Sequence, residues 1–133
     1  MLRSISKVAV VTAVAALGIT GVAQAKKTYK VNVLGHGSVT GVDLQSTDKG
    51  APFGTCEMTG KLVIPNTDQT WKCKGGSFKL TGFGTTGAAN DSKGTWKITK
   101  GSGTGKFKGI TGSGTFSGQL STGIYRYVGT VKY

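Results

Sequence analysis

No stretch after residue 25 keeps a helical period for more than one turn. The chain alternates instead. Tyr29, Val31 and Val33 interleave with Lys30 and Asn32, and Trp71 and Cys73 with Lys72 and Lys74. Phe78 and Leu80 flank Lys79, Trp96 and Ile98 flank Lys97, and Tyr125, Tyr127, Val131 and Tyr133 are spaced by Arg126 and Lys132. Successive strand residues face opposite sides, so this pattern buries one face and wets the other. Strands are predicted at 28–34, 38–44, 56–64, 70–74, 77–83, 95–99, 105–110, 115–120 and 123–133. A turn is expected at Gly35-His36-Gly37, a polar loop at 45–55 and a loose loop at 84–93. Val39 and Leu44 read as core. Of the 23 glycines, 21 follow residue 25, a composition that suits short strands and tight turns and disfavours helix. The expected fold is all-β: a small antiparallel β-barrel of about eight strands, with a β-sandwich as the alternative. Glycines inside the strand pattern let barrel strands coil and bend.

The first 25 residues read as something else. Arg3 and Lys7 precede a nearly apolar run at 8–22, and Ala23-Gln24-Ala25 has the small-x-small form of a signal-peptidase site. The expectation is a cleaved signal peptide at 1–25 and a single barrel domain at 26–133, exported to the periplasm or secreted from a bacterium, with no membrane span left after cleavage. Cys56 and Cys73, the two cysteines of the chain, then read as one disulfide.

Removing Arg3 and Lys7 from the 17 Lys and Arg leaves 15 against 5 Asp and Glu, a charge of +10 for residues 26–133. Such a balance predicts salt-sensitive contact with envelope polyanions. The competing reading is solubility and protected strand edges, for which lysine is the common residue. The lysines are scattered singly rather than gathered in a run, which favours the second reading.

Most specific chemistries are excluded. His36 is the single histidine and is flanked by glycines, so no base is held against a nucleophile. Asp43, Asp48, Asp68 and Asp91 fall in loops or beside turns, leaving Glu57 as the carboxylate on a predicted strand. Residues 82–87 match GxGxxG, but no βαβ unit surrounds them. The interleaved aromatics and cations do not make a specific nucleic-acid surface, because neighbours on a strand point to opposite faces. No metal and no cofactor is expected. The inward aromatics Trp71, Phe78, Trp96, Tyr125 and Tyr127 are the residues expected to line any barrel cavity, and Tyr133 shares the face of the last two.

The run Gly103-Thr104-Gly105-Lys106-Phe107-Lys108-Gly109-Ile110-Thr111-Gly112-Ser113-Gly114-Thr115 resembles a hairpin near the C-terminal end of the allene oxide cyclase barrel-like group. That group includes plant cyclases, dirigent-like proteins and uncharacterised secreted bacterial proteins. The resemblance covers about 15 residues and implies a calycin-like barrel of about eight strands. It matches no catalytic residue of the group to a position here. Three readings of function stay open. One is a non-enzymatic barrel holding a small apolar or amphipathic ligand. The others are a cationic protein on envelope polyanions, and a cyclase- or isomerase-like enzyme.

Overall fold

We describe a computed structural model of the protein. It describes residues 25–86 and 91–133, so the expected signal peptide, except for Ala25, lies outside the described residues. Eight strands close into one antiparallel barrel in simple meander order: β1 (Thr28–Thr40), β2 (Asp43–Ala51), β3 (Gly54–Val63), β4 (Asn66–Cys73), β5 (Gly76–Thr86), β6 (Asp91–Ile98), β7 (Thr111–Gln119) and β8 (Ile124–Lys132). β1 pairs with both β2 and β8, which closes the ring and leaves no free strand edge. The sandwich alternative is thereby excluded.

Alternation works as expected where it is strong. Val31, Val33, Met58, Trp71, Phe78, Leu80, Trp96, Ile98, Tyr127 and Val131 point inward and are buried. The lysines between them stay outside. Most outward positions are thus polar or charged, with Leu34, Phe83 and Val128 as apolar exceptions on the outer wall. Among the described residues, no helix is long and apolar enough to cross a membrane.

Several local expectations are corrected. Gly35-His36-Gly37 is not a turn: β1 runs through it, and the chain reverses at 41–42. The polar stretch 45–55 is not a loop, since most of it is β2. Polar inward residues such as Ser46 and Asp48 hide its period from a hydrophobicity reading. The loop at 84–93 is shorter than expected, because β5 continues to Thr86 and β6 begins at Asp91. Val39 lies at the barrel rim and is exposed rather than core.

The largest correction concerns 105–110. It is a connector, not a strand, with a short 3-10 turn at Gly105–Phe107. β6 leaves its neighbour where Ile98 pairs with Leu80. The first residues of β5 would then lack partners, and the connector supplies them. Thr99, Thr104 and Lys106 N–H groups donate to the carbonyls of Lys79, Ser77 and Gly75 at 2.8, 2.8 and 2.9 Å. The N–H of Ser77 donates to Thr104 Oγ1, and that of Lys79 to Ser102 Oγ, both at 3.0 Å. Gly105 has φ +58°, and a Cβ there would overlap the Gly75 carbonyl, so the close approach requires glycine.

This connector delivers Phe107 and Ile110 into one end of the barrel. Phe107 packs against Phe53, Phe78 and Tyr133 at ring separations of 5.7, 5.3 and 5.0 Å, and Trp71 stacks on Phe78 at 5.8 Å. The Cys56–Cys73 disulfide ties β3 to β4 at the same end, where the two residues are register partners. Its 17-residue separation corresponds to about 3 kcal/mol on loop-closure grounds. One end of the barrel is therefore plugged by aromatic packing.

Candidate functional site

The other end is open. Between the 41–42, 64–65 and 120–123 connections the barrel holds a cup of about 440 Å³. All eight strands contribute lining residues: for example Gly35 from β1, Asp48 from β2, Met58 from β3, Gln69 from β4, Gly82 from β5, Ser92 from β6, Phe116 from β7 and Tyr127 from β8. The walls toward the mouth are apolar, with Leu44, Leu62, Ile64, Pro65 and Leu120. Of the eight exposed large hydrophobic side chains among the described residues, six (Val39, Val42, Val63, Ile64, Leu120 and Ile124) sit on or beside the mouth connections. Ile64 is 81 % exposed. Together the six make an apolar rim around the mouth.

The floor is polar, and it rests on the aromatic plug. Asp48 is 1 % exposed. Ser46, two residues earlier on the same strand face, has its Oγ 3.1 and 3.0 Å from the two carboxylate oxygens and donates to them. Gly35 on β1 is the register partner of Asp48 on β2 and of Tyr125 on β8. A Cβ at Gly35 would overlap the Asp48 carboxylate, so glycine opens the cradle in which that group lies.

Beside it stands a fixed amide. Trp71 Nε1–H donates to Gln69 Oε1 at 2.9 Å, and Gln69 Nε2 donates to Thr67 Oγ1 at 2.9 Å. Indole can only donate, so it sets which way the Gln69 carboxamide points. The Tyr127 ring packs edge-on against Trp71 at 5.2 Å.

The electrostatics follow from burial. Desolvation raises the Asp48 carboxyl from its ordinary value of 3.8 to about 6; the Ser46 hydrogen bonds oppose this, and the charge of Glu57 adds to it. Burial also pushes the Tyr127 phenol well up, helped by the Asp48 charge and by Tyr125, while Gln69 pulls the other way. Burial raises Tyr125 as well, against the Ser92 hydroxyl. The floor thus joins a carboxyl that exchanges its proton near neutral pH with a phenol that stays protonated. Among the described residues, no group of three or more His, Cys, Asp or Glu is placed to hold a metal ion.

Compared with known proteins, residues 9–127 fit the family described as "Protein of unknown function (DUF3224)". The chain belongs to that family. No curated protein and no solved structure matches it.

In this DUF3224 barrel the five expected lining residues separate by height. Tyr125 and Tyr127 line the cup. Trp71, Phe78 and Trp96 lie in the packed core, 1 %, 1 % and 3 % exposed. The Trp96 indole donates to the carbonyls of Thr115 and Val128 at 3.1 Å each. Tyr133 lies at the plugged end, stacked on Tyr29 at 4.6 Å. Glu57, the carboxylate singled out by sequence, is exposed outside the barrel and accepts from Thr47 Oγ1 at 3.1 Å. His36 is outward and exposed on β1. The residues that sequence reasoning missed are Asp48, Ser46 and Gln69. A signal for them exists: Leu44, Ser46 and Asp48 keep a period of two that continues to the inward Gly50.

Proposed function

We propose that the protein is an exported, non-enzymatic binder that holds a small apolar or amphipathic ligand in its barrel. The observation that carries this reading is the blind cup of about 440 Å³ with apolar walls, an apolar rim and a polar floor. Its volume falls within the range of about 300–1,000 Å³ typical of small-molecule sites. Export rests on the front-end pattern at 1–25 and agrees with a disulfide in the chain. Kinship with the allene oxide cyclase barrel-like group is supported by eight-stranded closure and by the Gly103–Thr115 text, although that text forms the plug.

The test is uptake of a neutral fluorescent probe, N-phenylnaphthylamine. Saturable emission is expected with the native protein, and a loss of affinity of roughly tenfold or more in Leu44→Trp, which fills the upper cup. No saturable uptake, or uptake indifferent to L44W in a variant that melts normally, overturns the reading.

A second reading is contact with envelope polyanions, and the arrangement of cations favours it. The mouth connections 41–42, 64–65 and 120–123 carry no Lys or Arg. The plugged end gathers Lys26, Lys27, Lys74, Lys100, Lys106 and Lys108 in its termini and connections. The two readings are compatible, since they use opposite ends.

A further inference from the structure

We propose that the cup selects an amphiphile with a cationic amine head, seated on Asp48 with its apolar tail toward the rim. This rests on the cup being a ligand site. The chain carries 15 cations after residue 25, yet among the described residues no Lys, Arg or His lines the cup. Asp48 is the one lining side chain that is charged near neutral pH. A strongly basic protein therefore keeps its cavity free of positive charge and sets a single carboxylate at its floor.

That carboxylate has unused capacity. An ionised carboxylate only accepts, at about four lone-pair sites. Ser46 supplies one hydroxyl proton, shared between the two oxygens. The ion pair found among the described residues, Lys61 with Asp43, is on the outside. A buried charge without a counter-ion is costly, and an incoming ammonium removes that cost with up to three donors. The Tyr127 and Phe116 rings stand around the same space, 6.0 Å apart, and their faces favour a cation. Above them Met58, Leu44, Leu62 and Leu120 provide an apolar path to the rim. A carboxylate head would instead meet the like charge of Asp48.

The test is isothermal titration at pH 7.5 with three probes of one chain length: decylamine, decanol and decanoate. The overall positive field of the protein attracts decanoate and repels decylamine, so unspecific electrostatics predicts the opposite order from the cup. Decylamine is expected to bind roughly tenfold to a hundredfold tighter than decanol, as a charged hydrogen bond allows, with decanoate weakest. Asp48→Asn is expected to erase the amine preference, and a cooperative thermal melt reports that the variant is folded. Amine binding no tighter than alcohol in the native protein overturns the proposal while the ligand-site reading stands. So does an amine preference that survives D48N. Failure of all three probes to bind overturns both.

Discussion

Asp48 is where this protein departs from an ordinary barrel interior. Its carboxyl titrates near 6 when folded against 3.8 ordinarily, so the folded chain keeps a proton that the unfolded chain has already lost. Folding stability therefore falls as pH rises from about 3.8 to about 6 and then levels off. A shift of that size corresponds to about 3 kcal/mol across the window, at 1.36 kcal/mol per unit. Asp48→Asn keeps the shape and removes the charge. Urea denaturation is expected to find D48N about 2–3 kcal/mol more stable than the native protein at pH 7.5, with little difference at pH 4. A loss of stability at pH 7.5 would contradict an uncompensated charge.

At the scale of elements, the connector between β6 and β7 decides that the barrel has a cup rather than a channel. Its hydrogen bonds to Gly75, Ser77 and Lys79 hold it on β5, and that anchoring sets Phe107 at 0 % exposure between Phe53 and Phe78. Phe107→Ala is expected to cost about 3–5 kcal/mol in a denaturant melt, as for other buried phenylalanines. Probe uptake by the folded fraction is expected to persist, because Phe107 is not among the cup residues. A cost under about 1 kcal/mol would show that the plug is not part of the core.

The barrel as a whole is polarised: at one end the mouth connections 41–42, 64–65 and 120–123 are without Lys or Arg, and at the other stands a lysine-rich plug. Two triple charge reversals separate position from net charge. K100E/K106E/K108E and K61E/K93E/R126E change the total equally. Binding to a heparin column is expected to weaken sharply in the first variant, with elution at much lower salt, and to change little in the second. Equal losses would mean that only the overall charge matters.

The period of two is a local property, so sequence alone was enough to show that the chain is β and, where the alternation is strong, which side chains face in. Positions 45–55 were not legible because their inward residues, Ser46 and Asp48, are polar, so a hydrophobicity reading finds no buried face there. The glycines at 35 and 37 read as a turn because glycine has two uses, and β1 needs them for close approach to Asp48, Gln45 and Ser46 on β2. What only the tertiary structure decided is height along the barrel axis. Register and closure set Tyr127 in the cup and Trp71 and Trp96 in the core, though all three show the same alternation. The same holds for charge. In a meander each connection alternates between ends, so lysines scattered singly along the chain come together at the plugged end. Period-two spacing carries the inward or outward side of a residue but not its end of the barrel.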